Sequence, residues 1–139
     1  MGLIRTEIEL LSSEDMLAAR RGRLPESEIK RAKVIALVDS GAYMLAINEQ
    51  LKTQLDLAVL GNQVAELADG TRISLEIVGP VEVRFENRST SVRAMVLPGN
   101  AEVLLGSIPM EDMDVLIHPR EQRLVVNPEH PFMASKPVR

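Results

Sequence analysis

The sequence predicts a mainly β domain with one or two short helices, on three observations. Between residues 72 and 86 apolar and polar residues alternate, Ile73, Leu75 and Ile77 with Arg72, Ser74 and Glu76, then Val81, Val83 and Phe85 with Glu82, Arg84 and Glu86. A period of two puts successive side chains on opposite faces, the pattern of half-buried antiparallel strands. Asp69-Gly70, between the segments 64–67 and 71–73, is a two-residue hairpin signal, because a type I′ turn needs positive φ at both central positions. The third observation is the apolar run 34–38, which ends abruptly in Asp39-Ser40-Gly41-Ala42. An Asp at the mouth of a buried strand is costly unless it is hydrogen-bonded or paired, since desolvation disfavours the charged form.

Taken in order, residues 3–10 mix apolar and charged side chains as a strand does, and Ser12 or Ser13 caps a short helix through Met16, Leu17 and Ala18. Gly22 and Pro25 punctuate its end. The charged stretch 20–33 reads as a solvated connection or a second short helix, part of a charged insert at about 12–33 whose bland reading is a wet surface. Residues 43–47 read as extended, and Asn48 caps a helix in which Leu51 and Leu55 share a face. The polar stretch 87–91 turns a second hairpin into 92–97, and Pro98-Gly99-Asn100 breaks the pattern. A short buried run, 103–105, is closed by Gly106, after which Pro109 at a first helical position, with Glu111 and Asp112 in the first turn, opens a brief helix. Residues 115–117 and 123–126 are the last strands, around the turn His118-Pro119-Arg120-Glu121. One domain over 1–126 is followed by a tail, 127–139, whose Pro128, Pro131 and Pro137 predict an irregular or draped segment.

The 139 residues suffice for one ordinary core, and 45% hydrophobic content with a mean hydropathy of +0.02 fits a soluble globular class. A net charge of -4, without a basic run interleaved with aromatics, argues against nucleic acid as a partner. Cysteine is absent, which excludes disulfides, thiol nucleophiles and Cys-based metal sites. No apolar stretch reaches the length of a membrane span and no secretory signal opens the chain, so no membrane partner and a cytoplasmic location are expected. Met1-Gly2-Leu3-Ile4-Arg5-Thr6 fits the loose N-myristoylation pattern, one so short that it recurs by accident; the bland reading is an early strand. His118 and His130 lie beside prolines outside any His-x-x-x-His pattern, so no metal site is expected. Ser40 lacks the first glycine of a Gly-x-Ser-x-Gly elbow, and neither Leu60-Gly61-Asn62 nor Pro98-Gly99-Asn100 makes a phosphate loop.

Val38-Asp39-Ser40-Gly41-Ala42 resembles the hydrophobic-Asp-[Thr/Ser]-Gly-Ala signature of the retropepsins, the retroviral-type aspartic proteases, and of their bacterial relatives. Two further features are similar: Leu67-Ala68-Asp69-Gly70-Thr71 lies where the family has its flap, and Val103-Leu104-Leu105-Gly106 lies where it has a hydrophobic-hydrophobic-Gly strand before a short helix. The resemblance implies a retropepsin-like closed β-barrel, a single lobe of the acid protease fold, covering roughly residues 3–126. It departs from retroviral members where Gly106 is followed by Ser107-Ile108-Pro109 rather than Arg and Asn or Asp, and where Tyr43-Met44 replaces small or acidic residues.

The chemistry implied is peptide hydrolysis by water, with no cofactor and no metal. Two carboxylates must share one proton, one as base toward water and the other as acid toward the carbonyl oxygen. With one Asp-Ser-Gly in the chain, a homodimer would supply the second copy by placing both Asp39 residues at its two-fold axis. The resemblance makes Asp39 catalytic, Ser40, Gly41 and Ala42 supports of the active-site loop, and Leu105 and Gly106 a structural loop beside it. Leu67, Ala68, Asp69 and Gly70 would form a flap closing on an extended peptide or protein substrate. Residues 123–126 are the candidate for a strand pairing across the dimer, or else an ordinary intrachain strand. The rival readings are a catalytically silent dimeric module that binds a peptide or protein partner, and a monomeric β-barrel binding domain.

Overall fold

The computed structural model describes residues 3–138; Met1 and Gly2, on which the acylation pattern depends, lie outside them. Nine strands and three α-helices follow one another: β1 (Arg5–Ser12), α1 (Ser13–Arg20), β2 (Arg31–Val38), β3 (Leu45–Asn48), α2 (Glu49–Gln54), β4 (Ala58–Glu66), β5 (Arg72–Phe85), β6 (Arg88–Leu97), β7 (Val103–Leu105), α3 (Ser107–Met113), β8 (Val115–His118) and β9 (Arg123–Val126). Six strands in the order β1-β2-β7-β3-β6-β5 close on themselves, because β5 also pairs with β1. Closure leaves those strands no free edge. This is the retropepsin-like single-lobe barrel.

The register explains the core. β1 runs antiparallel to β2 from Arg5↔Leu37 to Leu11↔Arg31, and to β5 from Glu9↔Arg84 to Ser12↔Val81, so Ile8 and Leu10 face inward with Val81 and Val83. β2 and β7 are parallel, as are β3 and β6. Leu10, Leu45, Ile47, Val81, Val83 and Leu105 are fully enclosed.

The local signals act largely as written in the sequence. Ser12 caps α1 by accepting the Asp15 N–H at 3.2 Å, and Asn48 caps α2 by accepting that of Leu51 at 3.0 Å. Leu51 and Leu55 then enter the core together. The charged stretch contains one 3₁₀ turn, Glu26–Glu28, before β2 begins at Arg31.

Five local expectations are corrected. The first strand starts at Arg5 and runs to Ser12, two residues later than expected at each end, because its pairing with β2 and β5 sets the register. Residues 73–77 and 81–85 are one strand, β5, bent by a register shift between Val78 and Val81 opposite β6. Its hairpin with β4 is a three-residue turn: Gly70 N–H donates to the Leu67 carbonyl at 2.9 Å, and only Gly70, at φ 87°, has positive φ. Asp69 stays on the negative side because its carboxylate accepts the Thr71 N–H at 2.9 Å, which makes an Asx turn rather than type I′. The second hairpin turns at Glu86-Asn87 alone, with Phe85 facing Arg88, since Thr90 and Val92 carry the inward alternation of β6 and cannot be spared for a loop. Finally, α3 begins at Ser107, putting Pro109 third and Glu111 and Asp112 beyond the first turn. The helix can start early because the carbonyls of Ala42 and Tyr43, in the loop after β2, receive its first N–H groups.

β8 and β9 form a separate two-stranded sheet, so residues 123–126 pair within the chain. The tail is draped back over α3. Asp114, the left-handed residue at the end of α3, accepts hydrogen bonds from Asn127 Nδ2 at 3.0 Å and the Ser135 N–H at 3.0 Å, and lies 2.7 Å from His130 Nδ1. Lys136 reaches Asp112 at 2.8 Å, and the buried Arg88 donates to the His130 carbonyl.

Core truncation should separate inside from outside. Leu10→Ala, at a fully enclosed position bridging β2 and β5, is expected to cost about 2–5 kcal/mol in urea unfolding, whereas Ile35→Ala, at a position 55% exposed, should cost under about 0.5 kcal/mol. The tail should respond to acid. Asn127, the Ser135 N–H and His130 hold the Asp114 carboxyl down at about 2, so its contribution is complete above the ordinary carboxyl value of 3.8 and is lost as pH falls through about 2. Amide exchange at Ser135, expressed relative to the intrinsic rate at each pH, should therefore stay protected at pH 4 and lose that protection toward pH 2.

Candidate active site

The site begins where two parallel strands end together. Ala36, Leu37 and Val38 of β2 lie opposite Val103, Leu104 and Leu105 of β7. The ladder continues one bond further, with the Asp39 N–H donating to the Leu105 carbonyl at 3.0 Å. The chain then reverses through Ser40 and Gly41, closed by the Ala42 N–H donating to the Asp39 carbonyl at 3.1 Å. Asp39 thus sits on the rim of the barrel, half-buried, while Ser40 and Gly41 are exposed.

The carboxylate is oriented by its own loop. Asp39 Oδ1 accepts the Gly41 N–H at 3.0 Å, and a Cβ on Gly41 would stand 3.2 Å from that oxygen. Among the described residues no cation lies within ion-pair distance of Asp39, and the Ser40 hydroxyl has no hydrogen-bond partner. The cost of placing an Asp here is therefore met by partial exposure and one backbone N–H rather than by an ion pair.

The loop is fixed from the other side by the start of α3. The N–H groups of Ser107 and Ile108, which an isolated helix leaves unpaired, donate to the carbonyls of Ala42 and Tyr43, both at 2.9 Å. Such contact requires the two backbones to touch. A Cβ on Gly106 would lie 2.3 Å from the Met44 carbonyl oxygen, 2.8 Å from the Tyr43 carbonyl carbon and 2.9 Å from the Ala42 carbonyl oxygen. Its φ of -88° is ordinary, so glycine is required here for space and not for conformational freedom.

The β4–β5 hairpin projects beside this loop. β4 pairs only with β5, and eight of its nine residues are exposed. Its apolar residues Val59, Leu60 and Val64, with Leu67 at the turn, are 49%, 47%, 63% and 41% exposed. An exposed apolar edge of this kind marks a surface made to be covered. At its tip, Thr71 holds the Asp69 carboxyl below the usual carboxylate range through its hydroxyl and its N–H, so Asp69 serves the turn as an anion. No hydrogen bond among the described residues joins the tip, Leu67 to Gly70, to the Asp39 loop.

The structure thus brings together Asp39, Ser40, Gly41 and Ala42 with Leu105 and Gly106, and carries Leu67, Ala68, Asp69 and Gly70 on a separate arm. A cavity of roughly 320 Å³ lies where the chain leaves the loop, lined by Tyr43 and Met44, Gln63 from β4, Ser91 and Arg93 from β6 and Ile108 from α3. The sequence offered no sign of Gln63 or Arg93 as site residues, because each is an ordinary outward position of an alternating strand. The two histidines are spent elsewhere: His118 Nδ1 accepts the Glu121 N–H at 3.0 Å, and His130 joins Asp114. Among the described residues no group of three or more His, Asp or Glu is placed to hold a metal ion.

A closed six-strand barrel with one Asp-Ser-Gly loop on its rim and a two-stranded arm beside it defines a retropepsin-like aspartic protease domain. The model of the gag-polyprotein putative aspartyl protease family matches residues 26–112, which contain the loop, the arm and Gly106. The chain belongs to that family. No curated protein sequence matches it significantly.

Packing at Gly106 should be unforgiving. Gly106→Ala is expected to lower stability by about 1–3 kcal/mol in urea unfolding, because backbone atoms must move apart. Gly41→Ala meets only a carboxylate oxygen at 3.2 Å and should cost less.

Proposed function

We propose that the protein is an aspartic endopeptidase that acts as a homodimer, hydrolysing peptide bonds with a water molecule activated between the Asp39 carboxylates of two copies. The observation that carries this reading is a half-exposed carboxylate without an ion-pair partner among the described residues, on a loop pinned by three backbone hydrogen bonds to Leu105, Ser107 and Ile108. Such a group is positioned but not neutralised. One copy supplies one carboxylate, and the reaction needs two.

In the pair, one carboxylate removes a proton from water as the oxygen attacks the carbonyl carbon, and the other, protonated, gives its proton to the carbonyl oxygen. The tetrahedral diol then collapses, the C–N bond breaks and the amine leaves with a proton from the dyad. The titration belongs to the pair and not to either residue. Ser40, whose hydroxyl has no partner among the described residues, would bond across the axis. The arm carrying Leu67, Ala68, Asp69 and Gly70 would close over an extended peptide, whose backbone pairs in strand fashion and whose apolar side chains cover Val64 and Leu67. The β8–β9 sheet keeps an outer edge on each strand, and we assign it to pairing between copies in place of a lone terminal strand.

Asp39→Asn should abolish cleavage of a diverse peptide mixture, by at least about a thousandfold in mass-spectrometric readout, while leaving the sedimentation profile unchanged. Cuts that persist in the variant would remove Asp39 from the mechanism.

A further inference from the structure

The cavity shared by Tyr43, just after the Asp39 loop, and Gln63 of β4 has, among the described residues, one ionisable side chain besides the Tyr43 phenol, and it is a cation. Arg93 lies on the outward face of β6, opposite the register shift of β5 at Gly79-Pro80, and its side chain lines the cavity with Tyr43, Gln63 and Ile108. Among the described residues no carboxylate lines it. Four other strand arginines are matched with carboxylates, Arg5 with Glu102 at 2.5 Å, Arg31 with Glu9 at 3.9 Å, Arg72 with Glu66 at 3.8 Å and Arg84 with Glu82 at 3.7 Å, while the buried Arg88 donates to the His130 carbonyl. Arg93 has no such partner among the described residues. At the end of the arm, Glu66 is paired with Arg72 and Asp69 accepts the Thr71 N–H.

From this arrangement we infer that Arg93 is a specificity-determining residue, and that its cavity takes the carboxylate side chain of an Asp or Glu in the bound peptide. The inference rests on the peptidase reading above and names the class of its substrate. Three physical points support it. A guanidinium presents a planar fork of donors that a carboxylate accepts two at a time. Tyr43, Met44 and Ile108 give the cavity an apolar flank against which the methylenes of an acidic side chain can pack while its carboxylate reaches the guanidinium. A volume of roughly 320 Å³ is at the small end for ligand pockets and suits a side chain, not a folded partner.

Geometry restricts where the acid falls. A peptide running between the Tyr43 loop and β4 presents alternate side chains to opposite sides, so only one position on each side of the cut can enter a given cavity. Two-fold symmetry provides two cavities, and the preference should appear on both sides of the scissile bond.

The test uses two readouts on the full chain. In the first, cleavage of a random peptide pool by the native protein should show Asp or Glu enriched about tenfold at one position on each side of the cuts. Arg93→Gln should erase the enrichment and Arg93→Glu should replace it with Lys or Arg. In the second, the same pool is retained on folded Asp39→Asn protein, eluted and identified by mass spectrometry, which requires no turnover. Acid enrichment there, reversed by adding Arg93→Glu and weakened by salt, supports the site even where the native protein cuts nothing, an outcome that sinks the peptidase reading alone. Cleavage or retention indifferent to acidic residues, or an acid preference that survives Arg93→Glu, overturns the inference.

Discussion

Everything that places Asp39 depends on one close approach, the backbone of Gly106 against the carbonyls of Ala42 and Met44. With any side chain at that position the two segments must separate. The hydrogen bonds from Ser107 and Ile108 to the loop, which work only at contact distance, would lengthen with them. Leu105, fully enclosed, anchors the segment in the core, and its carbonyl receives the Asp39 N–H. A carboxylate on a surface turn is thereby given the positional precision of a buried strand. For the reaction proposed, whose two carboxylates would meet at an axis, that precision matters more than a shift in acidity.

The barrel and the arm solve opposite problems. Six strands close and leave no edge to attract another chain, which gives the rim a rigid base. β4 is left outside the closure with apolar side chains in solvent, a liability unless something covers them. In the function proposed, a peptide does so, and the arm remains free to move because only β5 holds it. Rigidity under the carboxylate and freedom above it follow from the same topology.

The charged residues divide in the same way. Around the barrel wall arginines and glutamates pair across or along strands, where screened surface contacts add little to stability but keep the wall neutral and well solvated. At the end of α3, Asp112 and Asp114 gather Thr90, Asn127, His130 and Lys136 and hold the tail against the body. At the cavity beside Tyr43, Arg93 of β6 has no counter-charge among the described residues, and in the specificity proposed the bound peptide supplies it.

Much of this was legible in the residues alone. Period-two alternation around Leu75 and Val83 determined the β class, Ser12 and Asn48 determined where two helices begin, and Asp39-Ser40-Gly41 with Leu105-Gly106 marked the loop and its support. These signals are local, carried by side-chain period and by caps that act within a few residues. Tertiary structure decided what depends on distant partners. The Asp69-Gly70 turn took three residues because the Thr71 N–H claimed the Asp69 carboxylate, and α3 began at Ser107 because the Asp39 loop accepted its first N–H groups. Residues 123–126 found β8 within the chain. Arg93 and Gln63, ordinary outward residues of their strands, became neighbours of Tyr43 only when the barrel closed, since no sequence period records which strands lie side by side.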